Sequence, residues 1–224
     1  MMLVLLPGMD GTGKLFEGFL RDLDFKNPMV ISLPSTGCQD YDSLLKYVQQ
    51  LLPTEDYYLV AESFSGAIAA KLSLTASPHL MGVIFVGAFL TPPRKLLLTM
   101  ARFLPIKALL NAPISDVFVR FFMLGLDAED TLVKQFKTVV KSVPLNTLRM
   151  RMKVMSKLKP SKSKSTLPAF YLSGEKDLLV GKDKLKYFEN YYANFKIISI
   201  DGPHFMLQAK PGQCAEVIKS ILNS

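Results

Sequence analysis

The amino-acid sequence predicts an open, mostly parallel β-sheet with helices on both faces, a three-layer α/β architecture carrying a helical insert. Three observations carry this. Short apolar runs bounded by turn residues alternate with segments of helical spacing. The 224 residues suit one medium-sized domain, or one domain with an insertion. Basic charge is concentrated in one stretch without a β-rich run.

The strands come first. Residues 2–6, 29–33, 57–61, 82–86, 168–173 and 195–200 are the apolar runs, giving a minimal sheet of about six strands. Helical spacing marks residues 40–52, 65–76, 182–192 and 211–222, with Pro211 falling at a helix start, where proline is tolerated. This alternation of strand and helix is the pattern of a parallel sheet covered on both faces.

The insert is set apart by charge. Residues 87–167 hold 15 Lys and Arg against Asp116, Asp127, Glu129 and Asp130, a net charge of +11; the rest of the chain carries −3. The expected organisation is therefore a core of residues 1–86 and 168–224 interrupted by a strongly basic helical cap over 87–167. Within the cap, Leu96, Met100, Phe103 and Leu104 share a predicted face, as do Val117, Phe121 and Leu124. Asp127 is the expected cap of a third helix lined by Leu132, Phe136, Val139 and Val143, and a fourth near 145–158 carries Leu148, Met152 and Met155. KLKPSKSKSTLP, 157–168, reads as a flexible return to the core.

Composition removes several function classes. Hydrophobic residues make up 49% of the chain, too many for a disordered protein. Two cysteines, Cys38 and Cys214, do not make a disulfide scaffold and read as reduced thiols. No apolar run approaches the roughly 18 residues of a membrane span, and the opening MMLVLLPG is too short and lacks the basic start of a secretory leader. A soluble, cytoplasmic protein without integral membrane association is expected. The net charge of +8 invites nucleic acid, but the basic residues are dispersed through apolar helices without a recognisable binding module. No metal or other cofactor is expected: His79 and His204 are far apart in the pattern, and no Cys/His cluster has ligand spacing.

Four segments could do chemistry. In YYLVAESFSGAIAAKL, 57–72, a strand ends at Ala61 and Ser63 follows, with small Ser65 and Gly66 behind it. A sharp strand–nucleophile–helix turn needs small groups two positions either side of the nucleophile, and A-E-S-F-S meets that demand without matching G-x-S-x-G literally. LLPGMDGTG, 5–13, is a glycine-rich loop after the first strand, able to aim backbone amides at a developing oxyanion. A phosphate-binding loop is the rival reading. Gly8, Gly13 and Lys14 have the right spacing, but Leu15 stands where Ser or Thr would bind magnesium. SGEKDLLV, 173–180, offers Asp177, and DGPHFMLQAKP, 201–211, offers His204. Glu175 and Asp201 are rival acids. Asp177 is preferred because it lies further past its strand, and Asp201 is expected to shape the turn before the histidine. His79 has no suggestive neighbours. Glu62 reads first as solvent-facing, and alternatively as a carboxylate that tunes the site.

LPGMDGTG, ESFSG, GEKD and DGPHF, in that order, resemble the α/β-hydrolase superfamily across essentially the whole chain. The resemblance implies a triad of Ser63 as nucleophile, His204 as general base and Asp177 as its orienting acid, with the backbone amides of Met9 and Phe64 as oxyanion donors. Pro7 and Glu62 depart from the family, where many members carry His. The chain begins at what corresponds to the family's third strand, and the insert falls where the family places its helical cap.

The cap further resembles that of small esterases of the pimeloyl-acyl-carrier-protein methyl esterase type. The resemblance implies a carboxylesterase or thioesterase acting on a small acyl ester, with an acidic acyl carrier protein steered by the basic cap. Arg94, Arg102, Arg120, Arg149 and Arg151 are the candidates to meet phosphate or carboxylate groups. A lactonase, peptidase or C–C hydrolase on the same triad is one alternative. A non-catalytic protein binding a ligand, partner or membrane surface is another.

Overall fold

The central strands send apolar side chains to both faces, so the sheet is buried on two sides. A computed structural model of the chain describes residues 1–75, 77–94, 98–100 and 103–223. Its strands are β1 (Met2–Leu6), β2 (Pro28–Val30), β3 (Tyr57–Glu62), β4 (Leu80–Val86), β5 (Ser165–Gly174) and β6 (Tyr192–Ile200). They form one six-stranded sheet in the order β2-β1-β3-β4-β5-β6, with every neighbouring pair parallel.

Leu3, Leu5, Val60, Ile84, Val86 and Leu172 face one core. There they meet Phe19 and Leu23 of α1 (Glu17–Leu23) and Ile218 of α10 (Pro211–Leu222). Val4, Leu6, Leu59, Ala61, Val83 and Phe85 alternate to the other face. There they meet Leu44 of α2 (Tyr41–Gln49), Ile68 of α3 (Gly66–Leu72) and Phe188 of α8 (Leu185–Tyr191). Each such Leu, Ile or Phe contributes about 1.5–3 kcal/mol by leaving water. Asp40 starts α2 by accepting hydrogen bonds from the amides of Asp42 and Ser43 at 3.0 and 2.9 Å, and Pro211 stands at the first position of α10.

Two strand ends and one helix differ most from the sequence expectation. β2 ends at Val30, although Ile31 still donates one backbone bond to Leu5 at 3.0 Å. β5 begins at Ser165, inside the expected return linker, because Ser165 pairs with Tyr192 and its hydroxyl donates to the Ser73 carbonyl at 3.0 Å. Helix α1 was not anticipated, although Phe19 and Leu23, four residues apart and fully buried, are its signal.

Between β4 and β5 the described residues include α4 (Ile106–Leu109), α5 (Ser115–Val119) running into a π-turn (Arg120–Leu124), α6 (Asp130–Ser142) and α7 (Leu145–Met155). Val133, Phe136 and Val139 of α6 pack on Val119 and Leu124, and on Leu15 of the body. Leu148, Met152 and Met155 of α7 are buried as well.

Elsewhere the predicted cap faces are corrected. Leu96 lies outside the described residues, and Met100, Phe103 and Leu104 are exposed rather than core. Val117 and Phe121 are exposed too. With Ile114 and Phe118 they make a stripe at i, i+3, i+4 and i+7 that faces solvent, while Ser115, Val119 and Leu124 face inward. Asp127 does not cap α6. Glu129 precedes that helix, and Asp127 accepts a 2.7 Å bond from Lys210 after Gly125, at φ 91°, redirects the chain. Among the described residues no helix is long and apolar enough to cross a membrane.

Candidate active site

The carboxyl ends of parallel strands lie on one edge of the sheet, which is where the candidate residues gather. Ser63 directly follows β3 at φ 47°, a left-handed backbone that costs a residue with a β-carbon about 1–2 kcal/mol. Packing imposes it. Ala61 and Ser65 are fully buried either side, and a β-carbon on Gly66 would stand 2.5 Å from that of Ala88. Ser65 occupies a position where glycine is usual, and its hydroxyl donates to the Pro7 carbonyl, fastening the elbow to the glycine-rich loop.

His204 lies in the loop after β6 and is 3% exposed. Its Nε2 stands 3.0 Å from Ser63 Oγ and its Nδ1 2.8 Å from Asp177 Oδ2. Asp177 Oδ1 accepts from the amides of Leu179 and Val180 at 2.8 and 2.9 Å. With Nδ1–H donating to that carboxylate, the Nε2 lone pair faces the serine hydroxyl. Gly87, at φ 53°, lets the chain pass close to the imidazole, since a β-carbon there would be 3.2 Å from Cε1. Phe205 sets its ring edge-on to His204 at 5.1 Å and to Phe136 of α6 at 5.0 Å, linking the histidine loop to the insert.

Burial acts against charge on His204, but the Asp177 carboxylate, with help from Glu62, outweighs it and leaves the pKa raised. Burial likewise opposes ionisation of Asp177. His204 and the two amides prevail and hold its carboxyl below the usual range.

The rival groups lie elsewhere. Glu175 is exposed, Asp201 pairs with Lys176 at 2.6 Å, and His79 pairs with Asp56 at 3.2 Å on the surface. Among the described residues no group of three His, Cys, Asp or Glu is placed to hold a metal ion.

The glycine-rich loop is a tight turn. Gly11 N–H donates to the Gly8 carbonyl at 3.1 Å, and Asp10 accepts from the Thr12 amide and hydroxyl at 2.8 and 2.6 Å. Met9 sits in this turn, Phe64 immediately after Ser63. A β-carbon on Gly8 would be 3.8 Å from that of Ser63, so the loop and Ser63 are in contact range.

Two charged residues near this loop are buried, which nothing in their local sequence marks. Arg151 of α7 does not present its guanidinium to solvent; it is fully buried. Nη1 donates to the Met9 carbonyl at 2.8 Å, Nη2 to the Pro34 carbonyl at 3.0 Å and Nε to Gln39 Oε1 at 2.9 Å. The guanidinium lies 5.7 Å from the Phe64 ring, and Gly11 at φ 73° makes room for it. Burial lowers its pKa to about 10, with Asp10 opposing. Of the other arginines between β4 and β5, Arg94 donates to the Leu178 carbonyl, Arg120 pairs with Asp130, Arg149 is exposed, and Arg102 lies outside the described residues.

Glu62, read first as solvent-facing, is 1% exposed. β3 is covered on both faces, so its last residue is buried too: Oε1 accepts from Gln208 Nε2 at 3.0 Å and Oε2 from the Gly8 amide at 3.3 Å. Burial, with the Asp10 charge adding, raises its pKa to about 7 against the pull of Gln208, His204 and Gly8.

Residues 28–197 match the family of hydrolases described as serine aminopeptidase, S33. That span includes Ser63 and Asp177 and stops short of His204. A search of curated protein sequences gave no match. Among solved structures, an enol-lactonase from Burkholderia xenovorans LB400 superposes with a TM-score of 0.83 at 14% identity, covering 100% of this chain and 91% of that one. An esterase from Exiguobacterium antarcticum gives 0.80 at 17%, with 100% and 92% covered. The RedJ thioesterase of Streptomyces coelicolor gives 0.72 at 20%, with 98% and 84% covered. These similarities establish the fold. Together with the matched family, they make this chain an α/β-hydrolase enzyme of the serine aminopeptidase S33 family.

Proposed function

We propose that the protein is a serine hydrolase that cleaves a carboxylic ester or thioester through an acyl-enzyme. The observation that carries this is the unbroken line Ser63–His204–Asp177, with contacts of 3.0 and 2.8 Å at the carboxyl edge of the sheet. Ser63 Oγ attacks the acyl carbon while His204 Nε2 takes its proton, and the oxyanion accepts hydrogen bonds from the Met9 and Phe64 amides. Collapse breaks the bond to the leaving alcohol or thiol, which takes the proton from His204. Water then attacks the acyl-serine by the same route, releasing the acid and free Ser63. Asp177 holds the imidazole tautomer and supports the imidazolium.

Residues 87–167 act in this reading as a cap over a core of 1–86 and 168–224. An acyl group on an acidic carrier protein is the proposed substrate form. The net charge of +11 on the cap against −3 elsewhere supports it, and the solvent-facing stripe of Ile114, Val117, Phe118 and Phe121 offers apolar contact beside that charge. Two free thiols, one of them the exposed Cys38, fit a reducing cytoplasmic setting.

A panel of p-nitrophenyl esters, lactones, acyl thioesters, peptides and methyl esters of dicarboxylic acyl carriers tests the substrate class. Carrier-bound esters should be favoured, with kcat/KM falling between low and moderate salt as steering is screened. Free short esters turned over equally well, without a salt effect, would eliminate the carrier. Hydrolysis of peptides alone would replace the esterase reading.

A further inference from the structure

We propose that Glu62 is a positioning residue for this hydrolysis. Its buried carboxylate ties the oxyanion loop, through Gly8, and the histidine loop, through Gln208, to the strand that ends in the nucleophile, and its charge supports the imidazolium of His204. The proposal rests on the catalytic reading of Ser63, His204 and Asp177.

Three segments distant in sequence meet at this one side chain. Glu62 is the last residue of β3 and immediately precedes Ser63. Gly8, whose amide reaches Oε2, immediately precedes Met9; its lack of a side chain permits the approach, since a β-carbon there would lie 3.2 Å from that oxygen. Gln208, whose amide nitrogen reaches Oε1, sits in the short helix α9 (Met206–Ala209), four residues after His204. The carboxylate thus sets the spacing of nucleophile, oxyanion donor and base against one another.

Asp10 of the oxyanion loop opposes ionisation of Glu62 and His204 favours it, while Arg151 stands beyond Asp10. Cys214 of α10 feels the same carboxylate and, being buried, stays a neutral thiol. During acylation His204 becomes positive, and a second carboxylate besides Asp177 then favours it. The same charge disfavours the nearby oxyanion. Removing only the charge should therefore change the pH response of the site more than its limiting rate.

The isosteric amide separates the two roles. In Glu62→Gln, one side-chain oxygen still accepts from the Gly8 amide. The new NH2 group can donate to Gln208 Oε1, a buried acceptor that finds no partner among the described residues. Both ties survive and the charge is lost. Glu62→Ala loses both.

The experiment has two readouts. Proton NMR of the imidazoles follows His204, with surface His79 as internal reference, and kcat/KM is measured against pH on the best ester of the panel. Glu62→Gln should lower the His204 midpoint, carrying the acid limb of kcat/KM with it. Its plateau kcat should stay within about threefold of wild type. Glu62→Ala should show the same displacement with a plateau kcat about 10–100-fold lower and KM little changed, as expected of misplaced groups. Should Glu62→Ala not fold, Gln208→Met cuts one tie and should lower kcat by about tenfold. An unmoved His204 midpoint in Glu62→Gln, or a wild-type plateau after both ties are cut, overturns the proposal. The NMR midpoint needs no turnover, so an inactive wild-type protein would count against the hydrolase reading and not against Glu62.

Discussion

Truncating Arg151 to alanine would strip the Met9 carbonyl and Gln39 Oε1 of their buried donor, while the Pro34 carbonyl keeps a 3.1 Å bond from Gln39 Nε2. Two bare buried acceptors cost about 1–3 kcal/mol each. A cavity replaces a long side chain, which adds to the loss, and relief from burying a guanidinium works against it. The net expectation is destabilisation by about 3 kcal/mol in urea unfolding. Arg151→Lys keeps the charge, but an ammonium cannot serve three acceptors set in a guanidinium fork, so an intermediate loss is expected. Function should change through Met9, because the bond from Nη1 fixes the peptide that follows the proposed oxyanion donor. We expect kcat to fall about 10–100-fold with KM nearly constant. Arg151→Ala within about 1 kcal/mol of wild type would refute the structural reasoning. A loss confined to KM would return Arg151 to the role its sequence suggested, a contact for a substrate carboxylate or phosphate.

Asp177→Asn should leave the fold intact and lower kcat by about 10,000-fold, as loss of tautomer control does in such triads; a decrease under tenfold would indicate a different acid. The pKa of Glu62 is raised from 4.5 to about 7, so this fully buried group stabilises the fold relative to its ionised state at low pH, and that contribution is lost as pH rises through 7. The stability of Glu62→Gln relative to wild type should therefore improve by about 3 kcal/mol between pH 4.5 and 8.5, read from urea midpoints at each pH. A pH-independent difference would contradict it.

The strands were legible because parallel strands covered on both faces must be apolar runs, and Leu3–Leu6 and Val83–Val86 are buried throughout. Ser63, Asp177 and His204 end up within hydrogen-bonding distance for a topological reason. Each follows a strand, and parallel pairing puts those ends on one edge. What sequence could not give was the burial of charge. Glu62 and Arg151 depend on partners such as Gln208 and Met9, more than 140 positions away, and nothing local marks them. The apolar residues of α5 and the π-turn after it show a second limit. Periodicity says that Val117 and Phe121 share a face, but only the packing of α6 against Val119 and Leu124 decides that the other face is covered.

The most direct measurement is active-site labelling with a fluorophosphonate, followed by mass spectrometry of the modified peptide. A phosphonyl adduct on Ser63 in the wild-type protein, absent in Ser63→Ala and strongly slowed in His204→Ala, is the expected result. Equal labelling of Ser63→Ala, or an adduct on another residue, would contradict serine catalysis at this site.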